Sequence, residues 1–155
     1  MANYYLDTSA VVKRYVPREV GSGWVRQITD PATSPVLLVS AIAIVEVAGA
    51  LARKEREKAL SALERQQYVS LFAFDCQHAY SVLPVTGPIL RLAATLTHRQ
   101  ALRAYDAVQL ATALQANLLL VNAGAPPLTF VAADLRLCQA GRAEGLASEN
   151  PLDHP

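Results

Sequence analysis

Tyr4-Tyr5-Leu6-Asp7-Thr8-Ser9-Ala10-Val11-Val12 decides the fold class. Its first three residues have strand chemistry, and Asp7-Thr8-Ser9 ends the run. Val11, Val12, Tyr15 and Val16 then recur at helical spacing until Pro17 stops the turn. The same alternation continues along the chain. Residues 19–28 read as a helix with Val20, Trp24 and Ile28 on one stripe, and Asp30-Pro31 and Ser34-Pro35 mark a loop. Val36-Leu37-Leu38-Val39 is a continuous apolar run, as a strand buried on both faces would be. Ser40 can cap a helix over about 41–53, and a charged helix over about 54–72 follows. Residues 80–85 are a third strand candidate, with helices expected over 86–100 and 105–117. Leu118-Leu119-Leu120-Val121 fits either a helix extension or a strand. Leu128-Thr129-Phe130-Val131 reads as a strand, 134–142 as the last helix and Leu146-Ala147-Ser148 as a final strand. Strands alternating with helices predict an α/β fold, a three-layer α/β/α sandwich around a mostly parallel sheet. One domain is expected over residues 1–150, followed by the polar tail 151–155.

Composition narrows the function classes. Apolar residues make up 52% of the 155 residues, so a packed core is expected and disorder is excluded. A net charge of +1 gives no whole-molecule field, so nucleic-acid binding would have to come from local patches. The N-terminus lacks a signal-peptide pattern, and the apolar stretch 35–45 is too short to span a bilayer. Cys76 and Cys138 show no metal spacing and read as free thiols, which fits a cytoplasmic protein. His78, His98 and His154 share no motif with a serine or cysteine nucleophile.

In open parallel sheets ligands gather beyond the carboxyl ends of the strands, which gives weight to the acids there. Asp7 follows the first strand and Asp134 follows Phe130-Val131-Ala132-Ala133; each also precedes a helix and fits an N-cap. Glu46 is the one charge in Ala41–Ala52, a segment apolar on nearly every side, which predicts a helix buried nearly all round. A carboxylate there must be paired, bound to a metal or protonated; an ion pair with a buried arginine is the plain structural alternative. Asp106 with Gln109 has capping-box spacing, a role compatible with facing a cleft. Several carboxylates in one cleft repel each other unless cations offset them, and Mg²⁺ suits such oxygen donors.

In this order and spacing, Leu6-Asp7-Thr8-Ser9-Ala10, Val45-Glu46, Ala104-Tyr105-Asp106-Ala107 and Phe130–Leu137 resemble PIN-domain ribonucleases. Within them the chain is similar to the VapC-type toxins of type II VapBC toxin–antitoxin modules. The resemblance covers 3–151 and implies an endoribonuclease dependent on Mg²⁺, with Mn²⁺ able to substitute. It also implies an RNA substrate, a homodimer and an antitoxin whose segment lies in the toxin groove. By match, Asp7, Glu46 and Asp106 form the acidic triad, Asp134 is the fourth acid, and Thr8 or Ser9 supports the first. The chain departs from the pattern at Ala132 and Ala133, where relatives often carry a polar residue, and in a long apolar segment over 118–127. For phosphate contacts, Arg103, three residues before Asp106, is the first candidate, ahead of Lys54, with Lys13 and Arg14 after the first acid.

Three other readings are open. A metal-dependent adhesion module would need a second serine where Val11 stands. A phosphoryl-transfer domain with Asp7 as nucleophile leaves Glu46 idle. A catalytically silent PIN-like binding module leaves all four acids unexplained.

Overall fold

The computed structural model describes residues 1–155. Five strands, β1 (Asn3–Leu6), β2 (Val36–Ser40), β3 (Tyr80–Leu83), β4 (Leu128–Val131) and β5 (Ala147–Glu149), form one sheet in the order β3-β2-β1-β4-β5. Every neighbouring pair is parallel; Tyr5 stands opposite Leu38 on one side and Phe130 on the other. The helices are α1 (Thr8–Tyr15), α2 (Ser22–Ile28), α3 (Ala43–Arg56), α4 (Ala62–His78), α5 (Gly87–Arg99), α6 (Ala104–Asn122) and α7 (Leu135–Ala143).

The two-residue period of the strands divides the core between the two faces. Tyr5, Leu38 and Phe130 face α5, α6 and α7, and the Tyr5 and Phe130 rings stack with centroids 5.7 Å apart. Leu6, Leu37, Val39 and Val131 face α1, α3 and α4. The sheet is therefore buried on both sides, the three-layer arrangement expected from the alternation. After β3 the chain crosses back to the far side of β1, so β1 and its neighbours form the switch point, where a crevice opens at the carboxyl ends.

The helix boundaries depart from the sequence reading in places that matter for the site. The charged helix does not begin at Lys54. Instead, α3 runs on to Arg56, and a turn with Lys58 at φ 60° separates it from α4. Ser61 and Glu64 then close a capping box at the start of α4. Nor is α3 buried nearly all round. Ala43, Val47 and Leu51 face the core, while Ile44 (52%) and Val45 (73%) are exposed. The sheet covers only one stripe of the helix, and the remaining apolar residues form an uncovered face. Asp106 is not a cap either: α6 begins at Ala104, and Arg103 is its N-cap residue. Leu118–Asn122 extend α6, so the first half of the long segment is helix, with Leu118 and Leu119 exposed.

The last residues fold back. Asn150 caps a 3-10 turn, Pro151–Asp153, against α2, and His154 stacks on Trp24 with centroids 4.2 Å apart. Gly21, at φ 81°, caps α2 where a Cβ would lie 2.2 Å from the Pro151 carbonyl oxygen. Only glycine fits that close approach.

Candidate active site

Three acids from distant segments line one cleft at the carboxyl edge of the sheet: Asp7 at the end of β1, Glu46 in the first turns of α3 and Asp106 in the first turn of α6. Each stands at a helix N-terminus, where the aligned peptide dipoles favour negative charge. The cleft also takes in Thr8, Ser9, Val12, Lys13, Glu19, Ala50, Arg53, Lys54 and Ala133, with a volume of about 340 Å³.

Asp7 is both cap and site residue. Its Oδ2 accepts from the Ser9 backbone N–H at 3.0 Å and from the Ser9 hydroxyl at 2.5 Å, which leaves Oδ1 without a partner in the protein. Ser9 Oγ accepts in turn from the Ala133 backbone N–H at 2.9 Å. The loop after β4 is thus tied to the site through main chain, where Ala133 has no polar side chain to offer. Burial is the main force that pushes the Asp7 carboxyl up to about 6; Ser9 opposes it, and the charges of Glu46 and Asp106 add to it.

Glu46 has no arginine partner. Its Oε1 accepts from Gln109 Nε2 at 2.7 Å and from the Thr8 hydroxyl at 3.1 Å, while Oε2 has no protein donor. Burial raises its pKa, Gln109 and Thr8 work against that, and Asp106 adds repulsion. Gln109 is fully buried and links the site to the core: its Nε2 also donates to Thr8 Oγ1 at 3.1 Å, and its Oε1 accepts from the Tyr5 hydroxyl at 2.7 Å. With Tyr5 donating to the oxygen, the amide nitrogen must face Glu46, so the chain of donors has one direction. The sequence reading assigned Gln109 only to a cap. An amide among Ala107, Val108, Leu110 and Ala111 on a buried helix was the available signal.

Asp106 accepts no hydrogen bond from the protein; burial raises its pKa, Asp134 adds to the rise, and Arg103 opposes it. Asp134 is exposed, caps α7 by accepting from the Leu137 N–H at 3.0 Å, and stands outside the cleft lining. The site thus presents unpaired oxygens on Asp7, Glu46 and Asp106, the donor chemistry Mg²⁺ prefers. No three of these groups close into a ready-made metal cage, so the arrangement fits an ion that keeps most of its waters.

The cations fall differently from the sequence ranking. Arg53, Lys54 and Lys13 line the cleft, whereas Arg103 does not. Because α3 is unbroken, Glu46, Ala50, Arg53 and Lys54 share one stripe at helical spacing, which the misplaced break after residue 53 concealed. Arg14 lies elsewhere, 3.5 Å from Asp75 and against the Tyr80 ring. Glu19, which the sequence did not single out, bridges Lys13 and Lys54.

Comparison with known proteins agrees with this architecture. A family model for the PIN domain matches residues 4–125, and the chain belongs to the PIN domain family. No curated protein sequence matched the chain. Among solved structures, the chain is similar to VapBC2 from Rickettsia felis, which was solved bound to a DNA fragment from its promoter. That match has 13% identity, spans 96% of this chain and 98% of that one, and has a TM-score of 0.62. FitAcB from Neisseria gonorrhoeae aligns at 19% identity over 96% and 97% of the two chains, with a TM-score of 0.59. PAE2754 from Pyrobaculum aerophilum aligns at 16% identity over 99% and 85%, with a TM-score of 0.61. At such identities the likeness is one of fold.

Proposed function

We propose that this PIN domain is a divalent-metal-dependent endoribonuclease acting in the cytoplasm as the toxin of a type II toxin–antitoxin pair. The observation that carries the reading is the convergence of Asp7, Glu46 and Asp106, from three separate segments, on one cleft, with carboxylate oxygens that no protein donor occupies. Nothing in the packing requires three carboxylates in that cleft, and burial there, with the charge of a neighbouring acid adding to it, raises the pKa of each.

Asp7, Glu46 and Asp106 would hold Mg²⁺ or Mn²⁺, with Asp134 at the outer rim. When bound, the ion would supply an acidified water and offset the charge gathering on a phosphodiester. The chain's own work is positional. Ser9 fixes the Asp7 rotamer, while Gln109 and Thr8 fix that of Glu46, so each carboxylate keeps one oxygen for the cleft. The antitoxin and a second copy of the chain are the expected protein partners, and the uncovered Ile44–Val45 face of α3 is apolar surface available to either.

The test is cleavage of a mixed pool of single-stranded and structured RNAs with Mg²⁺, with Mn²⁺ and with chelator, for the wild type beside Asp7→Asn. Metal-dependent cleavage absent from the variant supports the reading. No cleavage with either metal would refute it in favour of a silent binding module. Phosphorylated protein without cleavage would point to phosphoryl transfer through Asp7.

A further inference from the structure

Acids make only half of the cleft. Along α1 and α3, which form its wall, charge reverses with distance from the sheet edge. Asp7 and Glu46 stand at the start of the two helices, and Lys13, Arg53 and Lys54 stand one to two turns further on. Eight residues of helix separate Glu46 from Lys54, a rise of about 12 Å, and six residues carry Asp7 to Lys13, about 9 Å. The cations are therefore offset from the acids along one direction and are not interleaved with them.

Glu19 organises that basic end. Its Oε2 accepts from Lys13 Nζ at 3.1 Å, and its Oε1 pairs with Lys54, so one carboxylate joins the end of α1 to the last turn of α3. Partial burial opposes its ionisation, but the two lysines overcome this and hold its pKa below the usual range. Lys13 is buried at 5% exposure, an expensive place for an ammonium whose only carboxylate partner is shared. Arg53 forms no ion pair at all, although it lines the same cleft. Three cations facing one carboxylate leave a surplus of two positive charges at this end of the cleft. A network that served only to tie α1 to α3 through Glu19 would need the two lysines and no arginine.

We propose that Arg53 and Lys54, braced by Lys13 and Glu19, form a phosphate subsite that grips the backbone phosphodiester next to the one poised at the acids. This rests on the ribonuclease reading and adds to it a direction: the strand runs along the α1–α3 wall, away from Asp106. The ligand class is the phosphodiester of a single-stranded nucleic acid, held through charge and read without regard to base. Glu19 sets the strength of the grip because it neutralises one of the three cations in the unbound protein.

Binding of a fluorescein-labelled 12-nucleotide RNA of mixed sequence tests this by anisotropy, with Ca²⁺ in place of Mg²⁺ and strand integrity checked by gel. Each measurement is repeated across a salt series. Arg53→Ala and Lys54→Ala are each expected to weaken binding several-fold and to lower the slope of log affinity against log salt by about 0.7 for the one phosphate interaction removed. Glu19→Gln carries the sign test: releasing a lysine should tighten binding, whereas a purely structural bridge would lower the melting temperature and leave affinity unchanged or weaker. Arg103→Ala, outside the cleft, should have the smaller effect. Unchanged affinity in Arg53→Ala and Lys54→Ala, with wild-type RNA cleavage intact, would overturn the subsite alone. A wild type that neither binds nor cleaves RNA would overturn the ribonuclease reading and the subsite with it.

Discussion

Replacing Gln109 by leucine removes the side chain that connects the core to the site while nearly keeping its volume. Three hydrogen bonds disappear: one from the Tyr5 hydroxyl, one to Thr8 and one to Glu46. The Tyr5 hydroxyl is fully buried, and an orphaned buried donor costs about 1–3 kcal/mol. The hydroxyls of Thr112 and Ser40 lie near enough to take over part of that bond, which favours the lower half of the range. The bond to Glu46 is charge-assisted, but that carboxylate is only half buried and regains water, so it adds about 1 kcal/mol. Leucine recovers some apolar burial, and the net cost comes to about 2 kcal/mol. Tyr5→Phe alone leaves the Gln109 oxygen without its donor, at about 1 kcal/mol. The double variant removes both members of that pair, so its cost should fall short of the sum by about 1 kcal/mol. Urea denaturation of the four proteins measures the cycle. Kinetics should also show a loss of kcat with a smaller change in KM for Gln109→Leu, because Glu46 loses the donor that fixes its rotamer. Strict additivity, or a Gln109→Leu variant as stable and as active as the wild type, would refute the coupling.

Three more outcomes follow from the geometry. Asp7, with its pKa raised from 3.8 to about 6, holds a proton in the folded protein at pH values where the unfolded chain has lost it. Its effect therefore favours folding below the unfolded value and is lost as pH rises through about 6. Near pH 7.5 without metal, Asp7→Asn should stabilise the protein by roughly 1–3 kcal/mol while cleavage disappears, and thermal melts at several pH values check the sign. Gly21→Ala puts a Cβ against Pro151 at φ 81° and should cost on the order of 2 kcal/mol or more in urea melts. Val45→Lys, on the exposed face of α3, should change stability by under about 0.5 kcal/mol yet lower self-association in analytical ultracentrifugation.

The β-α order and the acids were legible because each rests on a local signal. Asp7 ends an apolar strand, and Glu46 and Asp106 interrupt apolar helical segments; the cleft brings these three together. Asp134 was equally visible as an acid after a strand, but the structure gives its carboxylate to a helix cap at the rim. What escaped notice depends on contacts distant in sequence. Glu19 follows Pro17-Arg18 and resembles any surface acid until α3 brings Lys54 beside it, 35 residues away. The break between α3 and α4 was written in Ser61-Ala62-Leu63-Glu64, but the run of charges before it disguised where the helix ended. The exposure of Ile44 and Val45 is invisible to periodicity alone, since an apolar residue does not announce whether its cover comes from its own chain.

One short helix carries both ends of the proposed machinery, for α1 opens on Asp7 and reaches Lys13 before it ends at Tyr15. It behaves as a ruler with a fixed scale. One residue inserted between Thr8 and Lys13 would swing the lysine about 100° around the axis and advance it about 1.5 Å. Blade and grip would then no longer face the same strand. A change in the strength of RNA binding that spares catalysis is therefore easier to reach at Arg53, on the neighbouring helix, than anywhere along α1.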